Sequence, residues 1–203
     1  MTFLKKMGVR AKLISCFLIV AILIVIVGII GIHSLRIVGS NSEKMYSNSL
    51  ESVYMLTDMK QNLTQAESDV LQLVYVSDNL KKSDLEKDIQ QNKNKDDKYI
   101  LNYEKLPMNL EEKQIWTTFK SQVNQYRTLR ENVVKSVNTS SNDEAVRQYE
   151  KLIGCSTEML KNLEKLISMN NDSAKTSNVD NHLIYITSYR SMIILMIIGV
   201  LIA

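Results

Sequence analysis

Few residues in this 203-residue chain have the types and spacing that chemistry requires. The two histidines, His33 and His182, have no Cys, Asp or Glu placed to share a metal ion. Cys16 lies in an apolar run and Cys155 in a distant polar segment, so the two are not expected to pair. An unpaired Cys155 in an oxidising space could instead join two copies of the chain. No Gly-rich phosphate loop and no nucleophile elbow are present in the sequence. The carboxylates alternate with lysines at helix-surface spacing, as solvated faces do. The chain is therefore expected to be no enzyme, with no catalytic residue, cofactor or metal. What remains is recognition. Arg127, Arg130 and Arg147 can hold an anion through charge-assisted hydrogen bonds. Gln61, Asn62 and Gln65 can line a polar pocket. Side chains of these types are mostly exposed, so all six are also at home on a wetted helix surface.

The elements that must position them begin with Leu13–Ile32, twenty residues without a charge and with Ser15 as the one weakly polar side chain. As a helix the stretch is about 30 Å long, the thickness of a bilayer's hydrocarbon core. It has no face to wet, so lipid is the solvent it fits. A cleaved signal peptide would have a shorter apolar region and a small-residue cleavage site, and Ile30-Gly31-Ile32-His33 offers none. Leu13-Ile14-Ser15-Cys16 has the letters of a lipoprotein cleavage box, but Lys12 stands where the apolar region should precede it. Residues 1–12 carry Lys5, Lys6, Arg10 and Lys12 and no acid. That places the N-terminus in the cytoplasm and residues 33–190 outside. Removing those four basic residues from the total of 25 leaves 21, against 22 acids. The exported part is thus nearly neutral, without the clustered positive charge that nucleic acid requires.

Residues 33–190 contain one proline, Pro107, and two glycines, Gly39 and Gly154, which argues for long helices. The first is predicted over about Leu35–Ser77. Its seam of Leu35, Val38, Met45, Leu56, Met59, Leu63, Ala66, Val70 and Leu73 repeats every 3.5 residues on average, with Ser42, Ser49 and Ser52 in phase. Ser77-Asp78-Asn79 breaks it. Ser83 with Glu86 has the form of a capping box for a second helix over about Lys82–Lys105, whose middle, Gln90–Lys98, reads as solvated. Pro107 ends that helix, and Asn109 caps a third over about Leu110–Asn138. Its stripe is Ile115, Phe119, Val123, Tyr126, Leu129, Val133 and Val137, with Trp116 beside it. Thr139–Asn142 is a polar turn into a fourth helix whose seam is Ala145, Tyr149, Leu152, Ser156, Met159, Leu163 and Leu166. That helix is expected to continue through the polar stretch Asn170–His182. Residues 191–203 turn apolar again and read as the start of a second transmembrane helix, too short to span, which predicts a truncated chain whose missing part is cytoplasmic.

Short turns make neighbouring helices antiparallel. The expected fold is all-α: an antiparallel up-down-up-down four-helix bundle whose long first and fourth helices continue into transmembrane helices. A bundle would occupy the distal half and a two-helix stalk the proximal half. The stalk has little apolar surface to bury, which favours a homodimer.

This layout, with Met45-Tyr-Ser-Asn-Ser-Leu50, Tyr103-Glu-Lys-Leu106 and Glu112-Lys-Gln-Ile-Trp-Thr-Thr-Phe119, resembles the four-helix-bundle sensory module of bacterial methyl-accepting chemotaxis receptors. The resemblance implies a dimeric plasma-membrane receptor that binds an extracellular small molecule or binding protein. A displacement of the fourth helix would pass the signal to cytoplasmic partners through a C-terminal region beyond Ala203. In the aspartate-type receptors arginines on the first sensory helix hold the ligand's carboxylate. Met55–Leu80 contains no arginine here, so that pattern does not transfer. Two alternatives keep the same fold: the sensor of a membrane histidine kinase or cyclic-dinucleotide enzyme, and a membrane-tethered coiled coil that senses nothing.

Overall fold

A computed structural model describes residues 8–139 and 142–202. Lys5 and Lys6 of the basic N-terminus, Ser140 and Ser141 of the polar turn, and Ala203 at the end of the apolar run lie outside the described residues. The elements are α1 (Val9–Lys44), a π-helical segment (Met45–Leu50), α2 (Glu51–Tyr75), α3 (Asn79–Tyr103), α4 (Leu110–Thr139) and α5 (Asn142–Ile202). No strand occurs among the described residues. The chain divides into two compact units, Ser47–Ala174 and Met1–Tyr46 with Lys175–Ala203.

The first unit is the four-helix bundle. Side chains spaced by three and four bury one stripe of each helix. Leu56, Met59 and Val70 from α2, Phe119 and Val133 from α4, and Leu152, Met159 and Leu163 from α5 are fully enclosed. Helix α3 contributes less, with Leu85, Ile89 and Tyr103. Its antiparallel register against α2 is fixed by Asn62–Asp96 and Asp58–Tyr99 hydrogen bonds of 2.8 and 2.6 Å. An aromatic cluster closes one part of the core: Trp116 stands 4.5 Å from Tyr103 and 5.4 Å from Phe119, ring centre to ring centre.

Several expectations shift. α3 starts at Asn79, three residues before the predicted Lys82, because the Asp78 carboxylate caps it first, accepting from Leu80 N at 2.9 Å. Ser83 therefore lies inside the helix and caps nothing. The middle of α3 is not wholly solvated: Asn92 and Asp96 are buried, since the seam of Leu85 and Ile89 passes through them on its way to Tyr103. On α4 Phe119, Val123, Tyr126 and Val133 are buried as expected, while Ile115, Leu129 and Val137 are half-buried and Trp116, Arg130 and Ser136 lie deeper. On α5 Tyr149 is only half-buried. Leu35 is 74% exposed, off the seam assigned to it. A π segment, bonded i to i+5, lies between Leu35 and the bundle part of the seam and breaks the 3.5-residue repeat.

The second unit pairs α1 with the last part of α5. Ser34 and Ser188 share a hydrogen bond of 2.5 Å, and Asn181 donates to Ser42 Oγ at 3.1 Å. Further along, a methyl on Gly31 would stand 3.7 Å from Met192 Sδ, and one on Gly199 3.7 Å from Leu23 Cδ1. Both are ordinary van der Waals distances, so the apolar parts are in contact there and would admit a methyl group. Both helical runs, Val9–Tyr75 and Asn142–Ile202, contain an apolar window long enough to cross a membrane, and neither window has protein cover.

Candidate functional site

Asn92 and Asp96 of α3 and Arg130 and Ser136 of α4 are among the polar residues that the bundle buries. α4 sets Arg127 and Arg130 three residues apart, hence on one face. Arg127 Nη1 lies 2.7 Å from Asp97 Oδ1, and Lys93 holds the other oxygen at 2.8 Å. Burial pushes the Asp97 carboxyl up, but hydrogen bonds and charge from Lys93 and Arg127 outweigh it and leave it below the usual range. Asp96 is 2% exposed and accepts from Asn62 Nδ2 at 2.8 Å. Burial raises its carboxyl to about 7, against the Asn62 hydrogen bond and the charges of Arg127 and Arg130.

Arg130 is 5% exposed, and among the described residues it forms no ion pair and no hydrogen bond. Burial lowers its guanidinium, while Tyr126, Glu131 and Asp96 oppose that shift. Four polar atoms of the bundle are buried without a partner among the described residues: Glu67 Oε2, Asp69 Oδ2, Tyr126 Oη and Arg127 Nη2. Burial also raises the Tyr126 hydroxyl and the Asp69 carboxyl. Such atoms carry a desolvation cost that water or a polar ligand would relieve.

Two grooves open on this face. One of about 350 Å³ is lined by Glu86, Ile89, Gln90, Arg130, Glu131, Val134 and Lys135. The other, about 310 Å³, is lined by Asp97, Ile100, Leu101, Lys120, Val123, Asn124 and Arg127. Asn138 donates to Glu86 at 3.1 Å beside the first. Lys120 is ion-paired to Glu104 beside the second.

Of the six residues expected to contact a ligand, the structure brings Asn62, Arg127 and Arg130 around Asp96. Gln65 lies further along α2 and donates to Asp69 at 2.8 Å. Gln61 is exposed, and Arg147 is exposed with its guanidinium on Glu144 of its own helix at 2.8 Å; neither joins the group. Asp96 itself was hidden by its polar neighbours, though its spacing from Leu85 and Ile89 carries the signal. His33 and His182 are exposed, and no metal-binding cluster occurs among the described residues. Cys155 is half-buried and unpaired, 3.9 Å from the Gln122 carbonyl, and burial raises its thiol.

A family model described as a four helix bundle sensory module for signal transduction matches residues 6–185. No curated protein and no solved structure matches the chain.

Proposed function

The chain belongs to the family of four-helix-bundle sensory modules for signal transduction, and from that premise we propose that it is the sensory and transmembrane portion of a chemotaxis receptor. It takes an extracellular signal in the bundle and passes it on as a displacement of α5. The observation that carries this is α5 itself: one helix from Asn142 to Ile202 holds both the bundle seam and an apolar window. A helix without proline over this length moves as a stiff element, so a shift at Leu163 is felt beyond Met192. The apolar windows suit a plasma membrane, with Arg10 and Lys12 on the cytoplasmic side. A homodimer gives the paired helices of Met1–Tyr46 and Lys175–Ala203 further surface to bury. Asn62, Arg127 and Arg130 are the contacts that the geometry favours for a ligand, ahead of Gln61, Gln65 and Arg147.

The test is a chimera of residues 1–203 with the cytoplasmic part of a chemoreceptor, in cells without other receptors. Inserting one residue after Asn178 turns all that follows by about 100° and is expected to lock or silence kinase output. Inserting seven, about two turns, is expected to restore it in part. Output indifferent to both insertions would exclude transmission through α5.

A further inference from the structure

We propose that Arg130 anchors a binding site for a small monocarboxylate, entered through the α3–α4 groove. This deepens the sensory reading and rests on it only for what the binding is used for.

A guanidinium this enclosed loses much of its hydration, and no opposite charge in direct contact repays the loss. Arg127, one turn away, has a charged partner in Asp97 at 2.7 Å. Arg130 has no such partner among the described residues, yet it lines a groove of about 350 Å³, a volume suited to a small ligand. The acids near it are otherwise placed. Glu131 is exposed and Glu86 accepts from Asn138. Asp96 accepts from Asn62, and burial holds its carboxyl near neutrality, so it offsets Arg130 only in part.

The planar fork of a guanidinium matches a two-oxygen acceptor, and a carboxylate supplies that in the plane. The rest of the lining sets the ligand's other end. Gln90 and Lys135 offer donors, Ile89 and Val134 offer apolar contact, and Glu86 and Glu131 repel a second negative group. One anionic head with an uncharged, partly apolar body is the chemistry that fits. Citrate and other polyanions fit poorly.

The experiment uses the whole chain in lipid nanodiscs. Thermal unfolding and titration calorimetry are run with propionate, inorganic phosphate and citrate, each against sodium chloride of equal ionic strength. Propionate is expected to raise the unfolding temperature saturably, with citrate and phosphate weaker. Arg130→Gln, folded by circular dichroism, is expected to bind propionate at least about tenfold more weakly, the loss of one charge-assisted pair. Should that variant not fold, Lys135→Ala at the rim is expected to weaken binding about threefold. A propionate response no larger than that of chloride, or unchanged by these variants, overturns the proposal. Failure here leaves the insertion experiment free to succeed, and binding without output from the chimera would sink the sensory reading alone.

Discussion

Asn170 on α5 donates its amide to the Glu112 carboxylate on α4 at 2.8 Å and to the Tyr103 hydroxyl on α3 at 3.2 Å. Tyr103 in turn donates to Glu112 at 2.5 Å. Burial, then the Glu112 hydrogen bond and charge, hold the Tyr103 hydroxyl well above its usual range. Three helices thus meet on one buried carboxylate, close to the turn that Pro107 makes.

Replacing Asn170 by Leu removes one donor from that carboxylate and one from the Tyr103 hydroxyl, leaving Glu112 with the Tyr103 bond alone. The expected loss of stability is about 1–3 kcal/mol. Chemical denaturation of the whole chain in detergent measures it, with exposed Ser168→Ala as a control. Equal stability of the two variants would show that the Asn170 contacts contribute nothing.

Asp96 sets a pH dependence. The groups facing it are Asn62 from α2, Asp97 beside it on α3, and Arg127 and Arg130 from α4. Its carboxyl is raised from 3.8 to about 7, so the folded state holds a proton that the unfolded chain releases. This contribution is full below the unfolded value and is lost as pH rises through the folded one. The slope between them approaches about 1.4 kcal/mol per pH unit, falling with pH. Asp96→Asn keeps an amide for Asn62 to bond and is expected to remove that slope and to be the more stable form above neutrality. Parallel pH curves for the two proteins would refute the assignment.

Phe119→Ala opens a cavity against Trp116 in a fully enclosed site and is expected to cost about 3–5 kcal/mol. Leu80→Ala, at a position 80% exposed, is expected to change stability by less than about 0.5 kcal/mol. Urea midpoints for the pair make the comparison. A small loss for Phe119→Ala would mean that the aromatic cluster is loosely packed.

The exposed pair Lys60–Glu164, at 2.6 Å, links α2 to α5 but sits in water. Its double-mutant coupling is expected below about 1 kcal/mol and should fade in molar salt. Coupling that persists there would point to a drier environment than the structure gives.

Backbone chemistry was the most legible part of the chain. Pro107 and Asn109 mark a true boundary: Asn109 Oδ1 accepts from Glu112 N at 2.9 Å, so local residues determine where α4 starts. The seams of α2 and α5 follow their apolar spacing, because burial of one stripe decides both helix and packing. The site was only half legible. Arginines announce an affinity for anions wherever they stand, and Arg127, Arg130 and Arg147 read alike. Which of them is enclosed depends on pairings such as Asn62 with Asp96, thirty-four residues apart, and no local pattern encodes those. Asp96 is not legible from residue type: a charged residue on an apolar seam looks like surface until its neighbours are folded round it.

The π segment Met45–Leu50 has a consequence for heredity. A helix bonded i to i+5 holds one residue more than an α turn would. A codon lost between positions 45 and 50 therefore leaves ordinary α-helix, with the backbone on either side still in phase. The same loss within the 61 residues of α5 has no wide turn to absorb it and rotates everything after it by about 100°. Genes for such modules should thus vary in length by single codons at the first of these places and resist doing so at the second.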